Sequence, residues 1–189
     1  MNISNKLTIS RIFIMPIFIA GVTFPGVVWK LTALICFFYV AFSDWLDGAL
    51  ARKYGWVSDF GKFMDPLADK IFICSAFISF VDVTYLNIPS WMIIIIISRE
   101  FMITGLRTLA VSKGIVLPAT NSGKFKTTSQ LIAIFIILTI LILKEMDVPI
   151  DYHIYFKMTP MIITGVVTLL TVISGYHYLL DNGSFLKDN

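Results

Sequence analysis

The chain has 189 residues, 57% of them hydrophobic and only 14% charged, with a formal net charge of +3. Soluble globular chains are roughly 45–50% apolar and about 25% charged, so this composition excludes a disordered chain and leaves too few polar side chains to cover a globule in water. The slight positive charge, with no basic run interleaved with aromatics, implies no nucleic-acid partner. Cys36 and Cys74 both lie in apolar stretches and read as helix packing rather than a disulfide or metal pair.

Six apolar windows reach the roughly 20 residues, at ~1.5 Å each, needed to cross a hydrocarbon core of ~30 Å. They are predicted near 6–27, 31–52, 60–81, 89–111, 126–143 and 158–180, which gives an all-α, polytopic integral membrane protein with six transmembrane helices in one domain spanning 1–189. The first window is too long for a cleaved signal peptide and ends at Pro25-Gly26. The second ends at Tyr54-Gly55, and Ser58 and Asp59 suit the N-cap of the third, which stops before Asn87-Ile88-Pro89. Gly114 to Gly123, with Pro118, separates the fourth from the fifth, and the sixth runs into a polar tail from Asp181 to Asn189. Of the 15 basic residues, all but Lys30, Lys144 and Lys157 fall at or nearest one face. Basic residues are retained on the cytoplasmic side, so both termini are expected in the cytoplasm of a multi-pass cell-membrane protein.

Asp44 and Asp47 lie near the end of the second window, and Asp65 and Asp69 near the start of the third. An ionisable group inside a membrane segment costs at least ~2.5–3.5 kcal/mol, so each is a candidate functional residue. Residues three or four apart share a helix face, and each helix therefore presents a pair. At ~1.5 Å per residue, Asp47 and Asp65 both lie about 7.5 Å from the cytoplasmic ends of their helices, with Asp44 at about 12 Å and Asp69 at about 13.5 Å. The short link at 53–59 makes these helices antiparallel neighbours, so the four carboxylates can form one cluster. Four such charges need a positive partner, and an oxygen-only donor set favours two hard ions, Mg²⁺ or Mn²⁺, of the kind that clamp phosphoryl oxygens. His153 and His177 lie far from this set in sequence. Gly48 and Ala51 leave the helix face bare for a diphosphate, and Arg52 can offer its planar fork to phosphate oxygens. The other reading of these carboxylates is a set of buried ion pairs or a proton path, as in a transporter.

The string Asp44-Trp-Leu-Asp47-Gly48-Ala-Leu-Ala51-Arg52, eight residues, Gly61-Lys-Phe-Met-Asp65-Pro-Leu-Ala-Asp69 matches D-x2-D-G-x2-A-R-x8-G-x3-D-x3-D at every fixed position. In this the chain resembles the CDP-alcohol phosphatidyltransferase family, whose six-helix fold agrees with the six windows. The resemblance implies that Asp44, Asp47 and Asp65 are ligands of a binuclear divalent-metal site. It makes Asp69 the general base, also touching one metal, and makes Gly48, Ala51, Arg52 and Gly61 the positions that receive the CDP moiety of CDP-diacylglycerol. It also implies CMP as a product and a homodimer as the assembly.

A second polar set comprises Ser98-Arg99-Glu100, Arg107 and Ser122-Gly123-Lys124-Phe-Lys126-Thr127 with Gln130. Arg99, Arg107, Lys124 and Lys126 suggest a binding place for an anion, as a phosphorylated acceptor would require. With Asn5-Lys6-Leu7-Thr8-Ile-Ser-Arg11, these segments resemble the bacterial phosphatidylglycerol-phosphate synthases, whose acceptor is glycerol 3-phosphate; Ser4 departs from the proline common there. That resemblance implies a role for Asn5, Thr8 and Arg11 in holding the nucleotide or its phosphates. Inositol phosphate and phosphatidylglycerol stand as alternative acceptors. Lys124 and Lys126 also fit plain cytoplasmic anchors. Arg99, about 18 Å from the helix end, does not, and fits either function or an acidic partner. Glu100 points about 100° away from Arg99 and is not its natural partner. Lys62 and Lys70 fit surface anchors or diphosphate contacts and are left unassigned. Ser122-Gly123-Lys124 is no phosphate-binding loop, because Pro118 and Phe125 stand where glycine and Ser or Thr are required.

Overall fold

A long apolar segment in hydrocarbon must pair its own backbone N–H and C=O groups, which a helix does within one segment. In a computed structural model, which describes residues 3–54, 59–114, 121–147 and 153–182, the windows become helices. The side chains described exclude those of 3–6, 48–54, 59–63, 65, 66, 121, 122 and 153–156. Among the described residues there are six α-helices: α1 (Ile3–Thr23), α2 (Val27–Tyr54), α3 (Asp59–Asp82), α4 (Ser90–Ser112), α5 (Asn121–Glu145) and α6 (His153–Asp181). One 3-10 turn, Thr84–Leu86, joins α3 to α4 and closes on Asn87 in the left-handed region.

Among the helix ends, that of α1 differs most from expectation, and α5 and α6 each begin five residues before their windows. α1 ends at Thr23 because Pro25 follows and Gly26 takes φ +107°, a conformation that side chains other than glycine rarely adopt. The Lys30 ammonium, reaching back from α2, donates to the carbonyls of Val22 (2.5 Å) and Phe24 (2.8 Å), groups that the helix end leaves unpaired. The Gly26 N–H donates to the Glu145 carboxylate (2.7 Å), fastening the end of α5 to this turn.

Among the described residues, three stretches, Val27–Asp47, Gly123–Glu145 and Lys157–Asp181, are long and apolar enough to cross a membrane by length and composition, and α1 contributes a shorter apolar stretch, Leu7–Thr23. α4 carries Arg99, Glu100 and Arg107 within its apolar run.

α1 and α2 form an antiparallel pair. Gly21 faces the Trp29 carbonyl and the Ala33 amide so closely that an added Cβ would lie 2.8 Å from each, and the Ser10 and Tyr39 hydroxyls share a hydrogen bond of 2.7 Å further along. Phe18 of α1 meets Phe72 of α3 edge-on, with ring centroids 5.0 Å apart, and Phe135 of α5 reaches the rings of Phe37 and Phe38 on α2. α4 and α6 run in the same direction: Met92 lies beside Gly165, Arg99 beside Ser174 and Arg107 beside Tyr178. Phe18, Phe72, Phe77, Ile134 and Leu138 are fully buried, while Phe13, Ile35, Ile94, Phe101 and Leu169 face outward. Large apolar side chains on the outside suit a lipid surround.

Candidate active site

The first cluster forms where the beginning of α1 meets the end of α2. Arg11 sits about 12 Å into α1 at ~1.5 Å per residue, the depth already counted for Asp44. Its guanidinium is buried; Nη1 donates to Asp44 Oδ1 at 3.1 Å and Nη2 to Asp47 Oδ2. The planar fork thus spans both carboxylates of the α2 pair, a geometry that lysine could not supply. Asp47 is buried, whereas the Asp44 side chain is 61% exposed and open at the mouth of the cluster. Asp69 is half-buried on α3, and Thr8 is buried one turn before Arg11. Gly48, Ala51 and Arg52 lie on the last turns of α2, and Gly61 and Asp65 on the first turns of α3, but their side-chain surroundings are outside the described residues, as are those of Asn5.

The second cluster forms between α3, α4 and α5. A cavity of about 390 Å³ is lined by Lys70, Arg99, Arg107 and Lys124, with Thr104 and Thr127 among the uncharged groups. Four cations around one concavity make a site for an anion. Arg99 Nη2 donates to Ser174 Oγ at 2.9 Å, and its buried Nε–H has no acceptor among the described residues. Arg107 Nε donates to the Tyr178 hydroxyl at 3.2 Å while the guanidinium lies 5.2 Å from the centre of the same ring.

Lys126 does not line this cavity. Expected among the phosphate-binding cations, it is instead buried and ion-paired with Glu100, whose Oε1 also receives Gln130 Nε2 at 3.4 Å. The reason is rotation: Lys124 and Lys126 are two residues apart, hence about 200° around α5, and cannot face one cavity together. Glu100 and Arg99 diverge for the same reason, and Glu100 takes its partner from α5. Cys36 and Cys74 are free and buried, as packing requires, and His177 is exposed on α6.

A family model for CDP-alcohol phosphatidyltransferases matches residues 1–176. The chain belongs to that family. Among its relatives are the CDP-diacylglycerol–glycerol-3-phosphate 3-phosphatidyltransferase of Bacillus subtilis (strain 168), 36% identical over 98% of this chain and 97% of the relative, and that of Haemophilus influenzae, 32% identical over 100% and 97%. A probable phosphatidylglycerophosphate synthase of Mycobacterium tuberculosis (strain H37Rv) is 32% identical over 94% of this chain and 80% of its own length.

The CDP-alcohol phosphatidyltransferase family is in general dependent on a divalent metal. The donor chemistry of this member fits such an ion: Asp44, Asp47 and Asp69 offer carboxylate oxygens only, and Asp44 is accessible. Among the described residues no three His, Cys, Asp or Glu side chains converge closely enough to hold a metal, and Asp65 lies outside that set.

Lys70 of the cavity lining has no single role in the sequence, and Ser174 and Tyr178, which hold Arg99 and Arg107, stand outside its motifs. A signal for the latter two existed. Thr164, Thr168, Thr171, Ser174 and Tyr178 recur at steps of three and four, and all are buried, a polar stripe along an otherwise apolar α6.

Proposed function

We propose that this chain transfers the phosphatidyl group of CDP-diacylglycerol to glycerol 3-phosphate, giving phosphatidylglycerol phosphate and CMP. The observation that carries the reading is the pairing of an aspartate cluster with an adjoining cavity lined by Lys70, Arg99, Arg107 and Lys124. A neutral acceptor would leave those four cations without a counter-charge, whereas a phosphorylated one supplies it. The relatives bearing the name of this reaction support the same acceptor.

In this reading the whole chain, 1–189, is one catalytic domain, and Asp44, Asp47, Asp65 and Asp69 hold two divalent ions, Mg²⁺ or Mn²⁺. When bound, the ions neutralise charge on the diphosphate and on departing CMP. Asn5, Thr8, Gly48, Ala51, Arg52 and Gly61 receive the CDP moiety, with Arg11 holding the α2 carboxylates at the nucleotide's edge. Arg99, Arg107 and Lys124, joined by Lys70, fix the acceptor phosphate and so aim its hydroxyl. Asp69 takes the hydroxyl proton as that oxygen attacks the phosphatidyl phosphorus, and the bond from this phosphorus to the CMP oxygen breaks. The lipid tails remain in the bilayer while the head group enters a cytoplasmic cavity. Six spans, both termini in the cytoplasm and a homodimeric assembly complete the proposal, the orientation resting on the bias of basic residues.

The test is CMP release from CDP-diacylglycerol by purified protein in detergent with Mg²⁺, offering glycerol 3-phosphate, inositol phosphate, serine and phosphatidylglycerol in parallel. Release with glycerol 3-phosphate alone is expected. Release with another acceptor would reassign the cationic cavity, and no release with any would favour a transporter.

A further inference from the structure

The two arginines of the cavity are rooted eight residues apart on α4, ~12 Å along its axis, yet their partners Ser174 and Tyr178 stand four residues apart on the parallel α6, ~6 Å. Side chains on a helix lean toward its N-terminus, so the long Tyr178 side chain brings its hydroxyl still closer to the level of Ser174. The α6 contacts that hold the guanidiniums thus stand closer along the axis than the arginine backbones do, and like charges lining one cavity repel unless an anion lies between them. Three features of α6 hold them. The Ser174 hydroxyl accepts from Arg99 Nη2, the Tyr178 hydroxyl and ring fix Arg107 through both Nε and its face, and Gly175 has no Cβ, which would sit 3.2 Å from Arg99 Cγ. Ser174 and Tyr178 are buried at 2% and 1% exposure, so neither rotates freely. Held by Ser174, Arg99 keeps its buried Nε–H without an acceptor among the described residues.

We propose that Ser174, Gly175 and Tyr178 of α6 are positioning residues that set the spacing of Arg99 and Arg107 and thereby the selectivity for a phosphorylated acceptor. This rests on the reading of the cavity as the acceptor-phosphate site. None of the three touches the acceptor; they act through the arginines. The hydroxyl of Tyr178 keeps Arg107 from swinging to solvent, and the absent side chain of Gly175 lets the stem of Arg99 lie along the α6 backbone.

The experiment measures KM for glycerol 3-phosphate and for CDP-diacylglycerol, with kcat, in the full chain in detergent, for Tyr178→Phe, Gly175→Ala and Arg107→Ala. Loss of one hydrogen bond to a charged group predicts a KM for glycerol 3-phosphate about tenfold higher in Tyr178→Phe, with kcat and the KM for CDP-diacylglycerol within about twofold of wild type. Gly175→Ala should shift the same constant in the same direction by displacing Arg99, and it supplies the reading should Tyr178→Phe fold poorly. Arg107→Ala separates the two levels of the argument. If it raises the acceptor KM while Tyr178→Phe and Gly175→Ala leave it unchanged, the α6 proposal is overturned and the cavity reading survives. If Arg107→Ala leaves that KM unchanged as well, the cavity reading falls and takes the proposal with it. A fall in kcat with both KM values unchanged in the α6 variants would show mere structural support and also overturn the proposal.

Discussion

At the scale of the residue, the chain places charge where a bilayer disfavours it and then neutralises that charge with particular partners. Arg11 bonds Asp44 and Asp47 of α2, while Asp69 stands on α3, the place proposed for the general base. Asp69→Asn keeps shape and removes basicity, so turnover should fall by about 10²–10⁴-fold while CDP-diacylglycerol binding persists; retained turnover in a CMP-release assay would remove the assignment. Lys126 is different in kind. Breaking a buried ion pair from one side costs on the order of 3–5 kcal/mol because a charge is left uncompensated, so Lys126→Met should lower the thermal midpoint in detergent. The double variant Lys126→Met with Glu100→Leu should recover most of the loss, an outcome that a phosphate-binding lysine would not give. Asp44, Asp47 and Asp69 were legible in the sequence because desolvated carboxylates have few structural excuses. The role of Lys126 was not, because a lysine near the start of a helix reads equally as an anchor, an anion ligand or half of an ion pair, and its partner lies on another helix.

At the scale of the element, close approach and end-capping fix how α1 meets α2. Gly21 abuts backbone atoms of Trp29 and Ala33, which cannot move aside as a flexible side chain would. Gly21→Ala therefore has to push the two helices apart, at an expected cost of about 1–3 kcal/mol, readable as a lower thermal midpoint. Because Arg11 reaches Asp44 and Asp47 across the same helix pair, this variant should also reduce activity more than an alanine on the lipid-facing side of α1. The ends of most helices followed their sequence punctuation to within a few residues. That of α1 falls two residues before Pro25 and four short of its window, since Pro25-Gly26 acts on the residues before it as well as at its own position, and Lys30 completes the turn from the far side.

At the scale of the whole molecule, apolar side chains both fill the interior and face outward, and the charged residues of the candidate site form two groups, Arg11 with Asp44 and Asp47, and the cations of the cavity. α3 and α4 each give a cation to one cavity, Lys70 from α3 and Arg99 from α4. Chelation of divalent ions with excess EDTA should abolish CMP release, and added Mg²⁺ should restore it; activity that survives the chelator would contradict the metal role of the aspartates.

The sequence by itself determined that the chain is helical and that it belongs in a membrane, and it singled out Asp44, Asp47, Asp65 and Asp69 as carboxylates to be explained. These follow from composition, from segment length and from spacing along one helix, which any single segment expresses alone. Only the tertiary structure decided that Arg11 pairs with the α2 carboxylates, that Lys70 joins the cationic cavity, that Lys126 turns to Glu100, and that α6 holds Arg99 and Arg107. The physical reason is that periodicity tells which residues share a face of a helix, while the rotation of each helix against its neighbours is set by packing across the whole bundle.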